Sequence, residues 1–234
     1  MSARFYKAAS IAEAKGGFIV TLDGRSLRTP AKAPLVVPKR ALAQLAADEW
    51  SAQGETVKPE TMAITRLINV AIDFTPRARA EMAATIGKFG QTDLLCHRAD
   101  QPPSLAERQA KAWDGLLAWA DTHLGASLIA APGIFSHRQP EGALAALASR
   151  AAALDDFRLT GLSYAAGLSG SAVLAFAIAE GKVLPEEAFA AAALDDLYQL
   201  EVWGEDDEAR ERLNNQRSEY EALARFFAAL AVEK

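Results

Sequence analysis

The sequence predicts an α+β protein: a small N-terminal α+β domain with antiparallel strands at residues 1–75, then a larger all-helical C-terminal domain at residues 76–234. Three observations carry that expectation. Phe18, Val20 and Leu22 alternate with Ile19 and Thr21 and run into Asp23-Gly24, a pair suited to the positive φ angles of a tight type I′ hairpin. Past Pro76 nearly every apolar residue recurs at helical spacing. Hydrophobic residues make up 50% of the chain but aromatic ones only 8%, with alanine supplying much of the rest, which favours closely packed helices over sheets.

Taken in order, the strand pair at 18–22 is followed by Pro30, Pro34 and Pro38, which leave Leu35-Val36-Val37 as a short edge strand. A helix is expected from near Pro38 through Trp50, with Leu42, Leu45 and Trp50 buried. A second apolar segment, Met62 to Phe74, stops at Thr75-Pro76, and the domain boundary is placed there. Ser104 with Glu107 has the spacing of a capping box, opening a helix through Trp113, Leu116, Leu117 and Trp119 that ends near Gly125. Pro132-Gly133 and Gln139-Pro140 mark a loop. Helices are expected at 141–154, 170–180 and 186–203, with Pro185 as an opener and Gly181 and Gly204 as stops. The last helix carries Leu213, Tyr220, Leu223, Phe227 and Leu230 on one stripe, and Glu208/Arg212 and Glu221/Arg225 four apart on the solvated side.

A single cysteine excludes an intrachain disulfide and fits a reducing compartment. The net charge of −5 conceals an asymmetry: residues 1–40 hold eight Lys or Arg against two acids, and 195–211 hold eight acids against one Arg. The basic residues are scattered among apolar ones, unlike a nucleic-acid footprint. The longest apolar run, Ala172 to Ala179, is far short of the roughly 20 residues of a membrane span, and no apolar core of a secretory signal follows Met1. No heptad seam suggests a coiled-coil dimer, so a monomer is expected.

Catalytic patterns are sparse. There is no phosphate-binding Gly-x-x-x-x-Gly-Lys loop and no Gly-x-Gly-x-x-Gly after a strand. His97, His123 and His137 lie too far apart for a helical ligand pair, and with one cysteine no metal site and no cofactor are expected. Cys96-His97 would splay on a helix, so Cys96 reads as a small core residue. Gly167-Leu-Ser169-Gly-Ser171 misses the nucleophile elbow at its last glycine and reads better as close helix packing. Asp195 and Asp196, as helix neighbours, diverge toward solvent or surface partners.

The most informative stretch is Leu194 to Ala209, a helix end, a stop at Gly204 and the acidic first turn of another helix. With Leu197 at zero on a helical wheel, Leu194 falls at about +60°, Leu200 at about −60° and Tyr198 at about +100°. Glu201 falls at about +40°, inside that apolar arc, and in a last turn where the helix dipole disfavours a carboxylate. Two readings stand: an arginine from elsewhere in the fold pairs with it, or the core opens there to a partner. Trp203, at about −120°, is either a flank residue covering the helix end or an interface anchor.

The run Leu194-Asp-Asp…Glu201-Val-Trp-Gly-Glu-Asp-Asp-Glu-Ala209 resembles the C-terminal hallmark of the F1 ATP synthase assembly chaperone family that binds the alpha subunit. Matching segments occur in order at Arg4-Phe-Tyr-Lys7, Leu22-Asp-Gly-Arg-Ser-Leu-Arg-Thr-Pro30, Thr92-Asp-Leu-Leu-Cys-His-Arg98, Gln109…Trp113-Asp114 and Leu168-Ser-Gly-Ser-Ala-Val-Leu174, so the likeness spans about residues 4–230. It implies the same two-part division and a non-enzymatic chaperone that binds the newly made alpha subunit without nucleotide and prevents its aggregation until the beta subunit arrives. Glu201 and Trp203 are the expected partner contacts, with Glu205 and Asp206 in a polar rim. A bacterial cytoplasmic location is expected, because the first motif begins at Arg4 and leaves no room for a presequence; eukaryotic relatives would work in the mitochondrial matrix. The alternative function is an enzyme that uses carboxylates in a cleft between the two domains, supported only by the surplus of acids near 195–211.

Overall fold

The alternating run at 17–22 forms the middle strand of the main sheet in a computed structural model that describes residues 2–133, 137–204 and 207–231. After β1 (Ser2–Ala3), β2 (Ala9–Ala14) pairs antiparallel with β3 (Gly17–Leu22), Ala9 opposite Leu22 and Ala14 opposite Gly17. Asp23 and Gly24 take φ of 48° and 77°, as a type I′ turn requires, and lead into β4 (Arg25–Ser26). Strand β5 (Val36–Val37) pairs with the other end of β3 at the sheet edge, as its flanking prolines predict. Strand β2 was not anticipated. Its sequence, Ala-Ser-Ile-Ala-Glu-Ala, is rich in helix formers, and only pairing with β3 selects the extended form.

Helix α1 (Arg40–Ser51) lies across β2 and β3, burying Leu42, Ala43, Ala46 and Ala47. Strand β6 (Thr56–Val57) returns to pair with β1. Helix α2 (Ala63–Asp73) has no capping side chain of its own. Glu49 of α1 supplies one: its two oxygens accept from the backbone N–H groups of Ile64 at 2.7 Å and Thr65 at 2.8 Å. Burial nonetheless pushes the Glu49 carboxyl above its ordinary range.

Leu45 and Trp50 are half-buried rather than enclosed, since the Trp50 ring lies at the rim of the sheet–helix interface. It meets Tyr6 edge-on at 5.5 Å, and the Tyr6 hydroxyl donates to the Trp50 carbonyl at 2.6 Å. Trp50→Ala is therefore expected to cost about 2–3 kcal/mol in urea unfolding, below the range for a fully enclosed tryptophan. A change under about 0.5 kcal/mol, typical of a neutral surface site, would contradict this placement.

The helical part begins with α3 (Thr75–Gln91) and a 3-10 turn, Leu94–Cys96, that leads into β7 (His97–Arg98). Helix α4 (Pro103–Trp119) continues through a π turn to Gly125, whose φ of 70° ends it, and β8 (Ala131–Pro132) then pairs parallel with β7. Next come α5 (Glu141–Ala152), α6 (Asp156–Ser169), α7 (Ala172–Ala179), α8 (Pro185–Ala192), α9 (Leu194–Trp203) and α10 (Asp207–Ala231).

Several expectations are corrected here. The Ser104/Glu107 capping box is not formed, because Pro103 takes the first helical position and draws Ser104 inside the helix. The helix expected at 186–203 is two, broken at Ala193. Helix α6 was missed because it is buried around much of its circumference, from Leu159 to Ser169, and shows no single apolar stripe. Its Gly161 leaves room for the rings of Phe226 and Phe227. The stripe of α10 is as expected: Leu213, Tyr220, Leu223, Phe227 and Leu230 are all buried.

One buried cluster runs from Val20 and Leu42 to Phe226 and Leu230, so it crosses residue 75. At that junction α2 packs on α6 and α10, and the buried Thr75 and Thr160 hydroxyls share a hydrogen bond of 2.6 Å.

Asp93 sits at the centre of the helical part, fully buried. One oxygen accepts from Leu95 N–H at 3.0 Å and the other from Val173 N–H at 3.1 Å, in the first turn of α7. Ser171 caps the same helix, accepting from Leu174 N–H at 2.9 Å, and Ser169 donates back to the Ala165 carbonyl at 2.7 Å. The near-miss elbow is thus a buried capping arrangement. Cys96 is also buried, and its thiol is pushed up to about 12, chiefly by burial and then by the nearby Asp93, which suits a packing role.

Candidate protein-binding site

One stripe of α4 faces α8 and α9 through a ladder of polar contacts. Ser104 shares a hydrogen bond of 2.7 Å with the Tyr198 hydroxyl. One turn on, Arg108 spans Glu201 with both guanidinium nitrogens, at 2.5 and 2.9 Å, while lying 5.1 Å over the Tyr198 ring. Gln109, buried, accepts from Ala99 N–H at 2.7 Å and donates to Asp195 at 2.8 Å. Trp113 donates its indole N–H to the Ala191 carbonyl at 2.9 Å and carries Arg98 over its ring at 5.2 Å. Arg98 in turn pairs with Asp114 at 2.7 Å. The fragments at 92–98, 109–114 and 194–203, far apart in sequence, therefore meet in one place.

Of the two readings of Glu201, the arginine pairing is realised, but not in the core. Glu201 is exposed, and its partner Arg108 is about half exposed. The helical wheel set it in the apolar arc, yet α9 packs so lightly that none of its residues is buried; Leu194, Leu197 and Leu200 are half covered. The Arg108 hydrogen bonds, then its charge, hold the Glu201 carboxyl below its ordinary range, so it stays ionised at neutral pH. A fork this exposed orients the side chain rather than anchoring the fold.

Trp203 closes α9 and is 85% exposed, with Val202 beside it at 55%. It does not cover the helix end. Gly204, at φ 95°, then turns the chain away. Glu205 and Asp206 lie outside the described residues. The end of α9 thus carries an uncovered indole and, two residues before it, an oriented carboxylate that is ionised at neutral pH. Indoles of this kind anchor protein interfaces when a partner desolvates them.

The nearby acids do not converge on one point. Asp195 is engaged by Gln109, Glu201 by Arg108, and Asp196 lies 3.6 Å from Arg212 on α10. Among the described residues no group of three or more His, Cys, Asp or Glu is placed to hold a metal ion, and no helix is long and apolar enough to cross a membrane. Sequence reasoning missed Arg108, Ser104 and Tyr198 as parts of this surface. The i, i+4 spacing of Ser104 and Arg108 was the available signal, but it points at no partner until α9 is docked.

The profile of the ATP12 chaperone protein family matches residues 3–121. The mitochondrial protein atp12 of Schizosaccharomyces pombe is 27% identical over 220 residues, 89% of this chain and 76% of the relative. Among solved structures, Atp12 from Paracoccus denitrificans superposes with a TM-score of 0.89 at 37% identity, covering 97% of each chain. The Atu1473 protein of Agrobacterium tumefaciens superposes with a TM-score of 0.90 at 42% identity, covering 97% of this chain and 86% of that one. The matched profile, the identity across nearly the whole length and the shared fold agree: the chain belongs to the ATP12 chaperone protein family.

Proposed function

We propose that this protein serves assembly of the F1 sector of ATP synthase, in the cytoplasm of a bacterium, by binding the unassembled alpha subunit and keeping it from aggregating until it meets the beta subunit. The observation that carries the reading is Trp203, a large apolar side chain that the fold leaves uncovered at the end of the helix that carries Glu201. Family membership supplies the chaperone context. A ring subunit without its neighbours exposes the interfaces they would cover, and apolar patches of that size associate. A holder must cover such a patch yet yield to the true partner. A small anchor with a polar surround suits that exchange better than a broad apolar face.

In this reading Glu201 and Trp203 touch the client, and Glu205 and Asp206 belong to its acidic rim. The protein acts as a monomer, without a cofactor and without turnover. In this reading the chain divides at residue 75 into a sheet-bearing part and a helical part, with one buried cluster running across that position. Light scattering tests the function. Near-stoichiometric protein, with no nucleotide added, is expected to suppress aggregation of isolated alpha subunit diluted from denaturant. Unchanged scattering at a several-fold excess would overturn the reading.

A further inference from the structure

Two of the N-terminal motifs contain side chains for which the fold has no use. Arg4 is spent on the backbone, donating to the carbonyls of Tyr6 at 3.1 Å, Gln53 at 2.5 Å and Lys7 at 3.1 Å. Tyr6 is buried against Trp50. Asp23 clamps the chain by accepting from Lys7 and Ala8 N–H at 2.9–3.0 Å, and Thr29 is buried with its hydroxyl on Asp73 at 2.6 Å. Phe5, between two structural residues, points outward and is 70% exposed. Arg25 is exposed, and its guanidinium donates no hydrogen bond among the described residues; the nearby Asp23 carboxylate already has its backbone donors. Both line one cleft of about 510 Å³, together with Ser26 and Arg28. Arg28 has one nitrogen on the Lys32 carbonyl at 2.8 Å, which restrains its guanidinium.

We propose that the Phe5–Arg25–Arg28 cleft is a second client-docking surface, which takes a segment of the alpha subunit that carries a carboxylate beside an apolar side chain. Charge complementarity selects that occupant. The cleft has two guanidinium groups against one carboxylate that is already occupied, within a stretch of eight basic and two acidic residues at 1–40. Arginine forks match carboxylates bidentately, and an exposed phenylalanine gains most from an apolar neighbour. The surface is opposite in charge to the acidic stretch at 195–211, so a client held at both would need two patches of opposite sign. That requirement separates the intended partner from other exposed apolar surfaces.

This inference rests on the alpha-subunit reading above, and the experiment separates the two. Binding of labelled, isolated alpha subunit is measured for wild type, Arg25→Glu, Phe5→Ala, Arg25→Lys and Lys15→Glu, each checked for an unchanged melting transition. Arg25→Glu is expected to weaken binding about tenfold or more and to flatten its salt dependence. Phe5→Ala is expected to weaken it about tenfold, and Arg25→Lys, which keeps the charge but loses the fork, to weaken it by less than Arg25→Glu does. Lys15→Glu makes the same charge change outside the cleft and should bind as wild type does. If wild type binds and both Arg25→Glu and Phe5→Ala bind equally well, this surface is not a docking site and the inference alone falls. If wild type does not bind, both readings fall. If Arg25→Glu instead abolishes a dimer seen in sedimentation, with client binding unchanged, the occupant is a second copy of this chain and the proposal is overturned.

Discussion

Asp93→Ala is expected to lower the unfolding free energy by on the order of 4–5 kcal/mol, a large share of the protein's total stability. Removing the carboxylate strands the Leu95 and Val173 N–H groups in a fully buried site, along with the Ser171 and Ala172 donors that also reach it. Each abandoned buried donor costs about 1–3 kcal/mol, and a domain of this kind has only about 5–15 kcal/mol in total. Urea unfolding checks it, and a loss below about 1 kcal/mol would mean that water or a neighbour takes over those donors.

The same residue predicts a pH dependence. Burial, only partly offset by those hydrogen bonds, pushes the Asp93 carboxyl up to about 6 from its ordinary 3.8. The folded protein therefore holds this proton more tightly than the unfolded chain. Its contribution is fully present below about pH 4 and is lost as the pH rises through about 6, by on the order of 3 kcal/mol. Asp93→Asn cannot titrate. The stability of wild type relative to Asp93→Asn should fall between pH 4 and pH 7, and a difference independent of pH would contradict the account.

Trp203→Ala should abolish protection of the alpha subunit while leaving the melting temperature where it was. At 85% exposure the indole contributes little to its own fold, so truncation removes only what a partner would use. An interface anchor of this type is worth about 2 kcal/mol or more, a loss of about thirtyfold in affinity. Glu201→Lys should have a comparable effect on protection, for a different reason. It sets a cation against Arg108, breaks the fork seen at 2.5 and 2.9 Å, and reverses the charge that the last turns of α9 present. Exchanging the pair, Arg108→Glu with Glu201→Arg, separates pairing from contact. The exchange restores the fork but not the surface charge, so protection should remain lost. Recovery in the exchanged protein would show that Glu201 acts only by holding α9.

What was legible in the sequence is what local physics decides. The hairpin at Asp23-Gly24, the bounds of α1 and of the apolar segment that forms α2 within about two residues, and the buried stripe of α10 follow from turn chemistry and periodicity. What was not legible depends on distant neighbours. Strand β2 is selected by β3, and α6 lies so deep that apolar residues surround much of it and no stripe remains. Arg108 lies 93 residues from Glu201, beyond any spacing rule. The wheel placed Glu201 in the apolar arc, whereas it is exposed, because α9 is only half covered and the packing side of the helix reaches no further than its leucines. The Asp93 motif was visible as a string, and its meaning as a buried helix cap appears only when Ser171 and Val173 close over it.

The central claim is that the uncovered end of α9 is where the client sits. A photo-reactive side chain placed at position 203, with the protein expressed at its natural level in growing cells, reads this directly. Trapped product containing the alpha subunit, and lost when Glu201→Lys is added, is the predicted result. Absence of the alpha subunit from the trapped products, in cells where the same labelled protein still protects it, would contradict the account.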